Sequence, residues 1–175
     1  RVRKKKSGYF MSSSNTTSNI VKKGTTGTAR SQVVRSYFIP PNNFGMVEEN
    51  LYRSGEPNVL TFPFLETLKL RKILVLQPNL PSSNLLSFIQ DQQIQLIHIG
   101  GQETHKNPWN MISEECVLEA LKHLLDVNSF PLLVCCTSGR HRTGTVIGCL
   151  RKLQRWNLTS IFQEYRLYAG SKVSL

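Results

Sequence analysis

Hydrophobic and polar positions alternate between two textures along this chain. Short apolar runs, Lys72-Ile73-Leu74-Val75-Leu76, Ile94 to Ile99 and Leu132 to Cys135, have the length of buried strands and are flanked by turn-forming residues. Between them apolar residues recur at three- and four-residue spacing, which predicts helices over Leu60 to Leu70, Ser83 to Asp91 and Ser113 to Leu125. Pro63 fits the first turn of the earliest of these, where its missing N–H is not needed. A serine opens the second, and Ser113 with Glu114 and Glu115 marks the start of the third. Thr145 to Leu153 reads as a further helix. Thr159 to Tyr165 opens the last one, with Ser160 and Gln163 at capping-box spacing. Tyr37 to Ile39 leads in, and Phe44 to Val47 with Leu51 to Arg53 predict a short hairpin at one edge. Strands alternating with helices predict an α/β fold, a central and mostly parallel sheet flanked by helices.

Charge divides the chain unevenly. The net charge is +11, yet residues 1 to 40 hold nine Lys or Arg and no acid, while the remainder holds thirteen against eleven acids. Residues 1–37 are therefore expected to be a basic, disordered tail, since Ser7 to Ser31 is rich in Ser, Thr, Asn and Gly and has little apolar surface to bury. Arg1-Val2-Arg3-Lys4-Lys5-Lys6 suits a nuclear address, an acidic-surface tether or incidental sequence upstream of the ordinary-looking start at Met11. Residues 38–175 suit one domain whose near-neutral balance argues against nucleic-acid binding. No apolar run is long enough to predict a membrane span. Four cysteines fit a reducing cytoplasm better than a disulfide framework. His98, His105, His123 and His141 lack ligand spacing with the cysteines, so no metal is expected.

The candidate chemistry sits where the last apolar run meets a helix. Cys136-Thr137-Ser138-Gly139-Arg140-His141-Arg142 places a cysteine five residues before an arginine, directly after Pro131-Leu132-Leu133-Val134. A strand, a tight loop and a helix N-terminus together form an anion site from converging backbone N–H groups and the helix dipole. Such a setting favours the thiolate of Cys136, the nucleophilic form of the side chain. Thr137, Ser138, Gly139, Arg140 and His141 would supply the phosphate cradle, with Gly139 where the backbone must turn. Arg142 offers a planar fork able to hold two phosphate oxygens. Thr143 brings a hydroxyl that would help expel the thiolate.

Cys136 to Arg142 matches the signature of the cysteine-dependent tyrosine phosphatase superfamily. Further matches follow in Gly139 to Gly144, in Gly148-Cys149-Leu150-Arg151-Lys152-Leu153-Gln154 and in Leu158 to Arg166. With the opening motifs Pro40-Pro41-Asn42-Asn43-Phe44 and Leu51-Tyr52-Arg53-Ser54-Gly55, residues 38 to 173 resemble the plant-and-fungal atypical dual-specificity phosphatases, within them the fungal oxidant-induced cell-cycle-arrest subgroup. The resemblance implies a phosphatase-like fold with the Cys-x5-Arg loop between the last core strand and a helix. It implies a phosphocysteine intermediate and no cofactor. The substrate it implies is a phosphotyrosine protein or an inositol pyrophosphate, and it allows a hetero-oligomer with related phosphatase-like subunits. The family usually continues into another helix beyond the point where this chain stops.

Two positions depart from that pattern. Cys135 stands where a histidine usually precedes the nucleophile, and it reads either as an ordinary strand residue or as one half of a vicinal disulfide with Cys136. The aspartic acid that usually protonates the leaving oxygen is missing, because Asp91 and Asp126, the chain's only aspartates, fall in or at the ends of helices. In the loop Gly100 to Trp109, Glu103 and His105 are the candidate acids, and a leaving group needing little help is the alternative. Rim charge from Arg140 and His141, with Lys106, Lys72 or Arg71 as further candidates, suits a substrate dense in phosphate. Beside hydrolysis stand two other readings: a pseudophosphatase that binds phosphate ligands within a complex, and an arsenate-reducing or sulfur-transferring enzyme. The last would need a resolving cysteine on a flexible segment, whereas Cys116 and Cys149 fall on helices as small core residues.

Overall fold

The computed structural model describes residues 38–100 and 112–170. The expectations for the tail 1–37, for Glu103, His105 and Lys106, and for the chain end at 171–175 lie outside the described residues.

Five strands form one sheet: β1 (Gly45–Glu48), β2 (Leu51–Gly55), β3 (Lys72–Val75), β4 (Gln95–His98) and β5 (Leu132–Cys136), in the order β1-β2-β5-β3-β4. Only β1 runs antiparallel to its neighbour. The predicted hairpin is present, with Asn50 taking positive φ in its turn. Its second strand is not an edge strand. β2 pairs in parallel with β5, Leu51 against Leu132 through Gly55 against Cys136, and this brings the Leu51–Gly55 motif alongside the cysteine.

Side-chain alternation splits the sheet into two apolar layers. Leu51, Leu74, Leu76, Leu132, Val134 and Cys136 pack on one face with α3 (Glu114–Leu125) and α4 (His141–Leu153). Ile73, Val75, Leu133 and Cys135 pack on the other with α1 (Phe62–Thr67) and α2 (Ser83–Asp91). α5 (Leu158–Ala169) completes the first side through α4. Arg151, 5 % exposed, fastens this corner: it grips Glu164 with Nε and Nη2 at 2.9 and 3.1 Å, donates to the Val47 carbonyl at 2.8 Å, and lies over the Trp156 ring.

Three helix boundaries differ from the pattern reading. Leu60 to Leu70 is a short 3-10 turn over Val59–Thr61 followed by α1, because Asn58 caps the turn and Thr61 closes the reciprocal bond, leaving Leu60 in solvent. α5 starts at Leu158, capped by the Asn157 side chain, which accepts from the Ser160 N–H at 2.8 Å, so Ser160 is inside the first turn rather than at the cap. α4 begins at His141 rather than Thr145, which makes Arg142 and Thr143 first-turn residues. The α3 start is as expected, with Ser113 Oγ accepting from the Cys116 N–H.

Candidate active site

Both halves of the motif emerge at the carboxyl ends of the central strands, the usual ligand edge of an open α/β sheet. Cys136 ends β5, residues 137–140 turn, and α4 starts at His141. Each carbonyl of the turn is held by a partner elsewhere. The Thr137 carbonyl accepts from the Glu56 N–H at 3.3 Å, that of Ser138 from Asn43 Nδ2 at 2.8 Å, and that of Gly139 from Arg53 Nη2 at 3.0 Å. The Arg140 carbonyl is taken by the Gly144 N–H within the helix. In a planar trans peptide the N–H points opposite to the C=O. Tying the carbonyls of residues 137 to 139 to Glu56, Asn43 and Arg53 therefore turns the N–H groups of Ser138, Gly139 and Arg140 away from those partners, an arrangement suited to an oxyanion.

Gly139 is at φ 70°, and a Cβ there would lie 2.3 Å from the Gly55 nitrogen and 2.4 Å from the Ser54 carbonyl carbon. Both the conformation and the space demand glycine. Gly139→Ala is expected to cost about 2 kcal/mol or more by pushing the loop off β2. A drop in the urea midpoint with loss of phosphate binding checks this.

Arg142 is 7 % exposed, and its Nη1 donates to the Leu76 carbonyl at 2.9 Å, at the end of β3. The same nitrogen is 3.4 Å from where a Cβ on Gly100 would stand. Next to Leu76, the buried Gln77 joins three segments. Its Oε1 accepts from Thr137 Oγ1 at 3.1 Å, its Nε2 donates to Glu56 Oε2 at 2.8 Å, and His98 Nε2 donates to its carbonyl at 2.7 Å. Glu56 Oε1 in turn accepts from the Ser82 N–H. Neither Gln77 nor Glu56 was among the residues suggested by the motif.

The two adjacent cysteines face opposite layers. Cys136 is 4 % exposed in the layer under α3 and α4, and Cys135 is fully buried among Leu65, Ile73, Val75 and Leu133. Both thiols are free. Burial pushes the Cys135 thiol far up, and the charges of Cys136 and Glu56 add to that, so it stays protonated and apolar in character. The ordinary-strand reading of Cys135 holds here, with no bond to Cys136. Thr143 Oγ1 is fully buried and has no hydrogen-bond partner among the described residues. Arg140 and His141 are exposed at the rim, His141 Nδ1 lying 2.7 Å from the Tyr165 hydroxyl. Burial raises the Tyr165 phenol above its ordinary value, against a lowering by Arg53.

Arg53, 1 % exposed, is the residue that pattern reading passed over. Its guanidinium lies under the loop, stacked 3.6 Å from the Tyr168 ring centroid, with only Nη2 hydrogen-bonded among the described residues. Burial lowers its pKa from the ordinary arginine value, and neighbouring Tyr168, Glu164 and Cys136 act the other way. It remains a cation at neutral pH.

Other candidates fall elsewhere. Lys72 and Arg71 do not line the rim, because they precede or begin β3 at the sheet's opposite end. There Lys72 Nζ donates to Ser129 Oγ and Arg71 Nη1 to the Asn128 carbonyl, both at 3.0 Å. Asp91 ends α2 and Asp126 caps the turn after α3, away from the loop. Cys116 and Cys149 are half-buried on α3 and α4 against the first layer, and burial raises the Cys149 thiol. No cluster of metal-ligating side chains occurs among the described residues.

Similarities to known proteins converge on this loop-bearing domain. The model of the tyrosine phosphatase family matches residues 38–175. The probable tyrosine-protein phosphatase DG1060 of Dictyostelium discoideum is 62 % identical over 140 residues, covering 80 % of this chain and 84 % of that protein. The putative tyrosine-protein phosphatase OCA1 of Yarrowia lipolytica is 54 % identical over 77 % of this chain, which spans 53 % of that relative's length. Among solved structures, the core catalytic domain of the PP-IP phosphatase SIW14 from S. cerevisiae, in complex with citrate, superposes with a TM-score of 0.72. It shares 40 % identity, covering 79 % of this chain and 82 % of that one. The chain belongs to the tyrosine phosphatase family and is a cysteine-dependent phosphatase.

Proposed function

We propose that the protein cleaves phosphoanhydrides of inositol pyrophosphates through a phosphocysteine formed on Cys136. The observation that carries this reading is the loop whose carbonyls are all tied back, which leaves amide N–H groups, the α4 N-terminus and Arg142 to hold the phosphoryl oxygens. The Cys136 sulfur attacks phosphorus in line with the departing oxygen. The P–O bond to the leaving group breaks as the S–P bond forms. Water then attacks the phosphocysteine, giving orthophosphate and restoring the thiolate, with the buried Thr143 hydroxyl, unpartnered among the described residues, available to steady the departing sulfur.

Leaving-group chemistry favours an anhydride. When the β-phosphoryl group of a pyrophosphate moves to sulfur, the α-phosphate left on the inositol departs as a weakly basic anion, whereas a tyrosine phenolate needs more help from an acid. Neither aspartate is at the loop, and the acid assigned by this reading is Glu103, three residues after Gly100 in the sequence. Exposed Arg140 and His141 add charge for a phosphate-dense ligand. Similarity to SIW14, named a PP-IP phosphatase, supports the same substrate class. The free cysteines suit a reducing cytoplasm, where the nucleophile stays reduced.

Orthophosphate release from a diphosphoinositol polyphosphate, a phosphotyrosine peptide and p-nitrophenyl phosphate tests it. The diphosphoinositol is expected to show the highest kcat/KM, by about tenfold or more. Preference for the peptide would reassign the substrate, and release from none would overturn the reading.

A further inference from the structure

Arg53 is out of proportion to any structural need. It is a guanidinium with 1 % exposure, inside the sheet-to-helix layer, where a charge is costly to hold unless something opposite compensates it. Among the described residues it makes no ion pair. Among these residues Nη2 donates to a neutral carbonyl, Nε and Nη1 are buried without a hydrogen-bond partner, the guanidinium stacks on Tyr168, and the charges of Glu164 and Cys136 favour the cation without hydrogen-bonding to it. The nearby Glu164 carboxylate is occupied at both oxygens by Arg151. Hydrogen bonding to Gly139 alone would not require a charge, since a neutral amide can also donate to a carbonyl, though more weakly.

What lies across that carbonyl is the phosphate loop. The guanidinium is one hydrogen bond below Gly139, the midpoint of the turn, on the side away from the turned N–H groups. We propose that Arg53 is a positioning residue whose buried positive charge favours the oxyanion held in the loop, so that ligand binding completes a charge balance only partly met in the empty protein. Arg53 touches no substrate atom. It acts through the polarised Gly139–Arg140 peptide, whose N–H end faces the anion, and through the low-dielectric layer between them. Arg142 is the cation that meets the ligand, and Arg53 is the one behind the cradle. The inference rests on the reading of this loop as an oxyanion cradle.

Inorganic phosphate is the probe, with binding followed by calorimetry and thermal unfolding recorded with and without it. Wild-type protein must bind phosphate; if it does not, the cradle reading itself fails, independently of Arg53. In Arg53→Gln the donor to Gly139 is kept and the charge removed. The expected result is phosphate affinity weakened about tenfold or more, with the Tm of the empty protein equal to or above wild type. Arg53→Lys restores the charge and is expected to recover most of the affinity. A purely structural Arg53 would lower the Tm of the empty protein in Arg53→Gln. The proposal is overturned by that drop, by an unfolded Arg53→Gln, by affinity within twofold of wild type, or by Lys and Gln losing affinity equally.

Discussion

Cys136→Ser is expected to cut phosphate release by at least about a thousandfold, to the background of the assay, while the folded protein still takes up inorganic phosphate. The reasoning starts from the difference between sulfur and oxygen. A serine hydroxyl at this position stays protonated at neutral pH and leaves phosphorus reluctantly, so both halves of the reaction suffer. The cradle does not depend on the sulfur: the bonds from Glu56, Asn43 and Arg53 that orient the loop go to carbonyls of residues 137, 138 and 139. Calorimetry with phosphate and a turnover assay on the same preparation separate the two effects. Full activity in the serine variant would move the chemistry to another residue.

Arg142→Ala carries the second large effect. Two charge-assisted hydrogen bonds to phosphoryl oxygens, at roughly 1.5–3 kcal/mol each, correspond to a loss of about 10²–10⁴-fold in kcat/KM. The substitution also strips the donor from the Leu76 carbonyl, so a modest fall in Tm is expected beside it. Arg142→Lys keeps the charge but not the fork, and it should recover only part of the loss, since a point charge cannot follow two oxygens through the transition state. Steady-state kinetics on both variants, with a shared substrate, check the order alanine below lysine below wild type.

The parts of this molecule that were legible in its sequence are those written in neighbouring residues. The β5 strand, the turn and α4 follow one another without interruption, so apolar run, glycine and arginine placed the loop directly. Even there α4 was read four residues short, because Gly139, Arg140 and His141 look like loop residues and the loop ends inside the helix's first turn. Partners distant in sequence were not legible. Gln77 meets Thr137 across 60 residues, and Asn43 meets Ser138 across 95. Nothing in a linear pattern pairs them. Arg53 did leave a signal: two residues after Leu51 it shares that residue's face, so a charge was due on the buried side of a strand. Arg71 and Lys72, candidates for the rim in the sequence, fall elsewhere for a related reason. Charge near an active strand suggests a rim, but in a parallel sheet only the carboxyl ends reach the ligand, and these two sit at the other end of β3.

The same long reach sets a limit on what the signature heptad is worth alone. The atoms that shape its turn are supplied by residues 43 to 56, joined only once β2 has docked beside β5. A peptide or truncated piece carrying Cys136 through Arg142 without the opening hairpin would own the nucleophile and the arginine fork, yet its amides would lack the partners that orient them. Recognition by this enzyme is thus inherited from tertiary pairing rather than stored in the stretch of chain that gives the family its fingerprint.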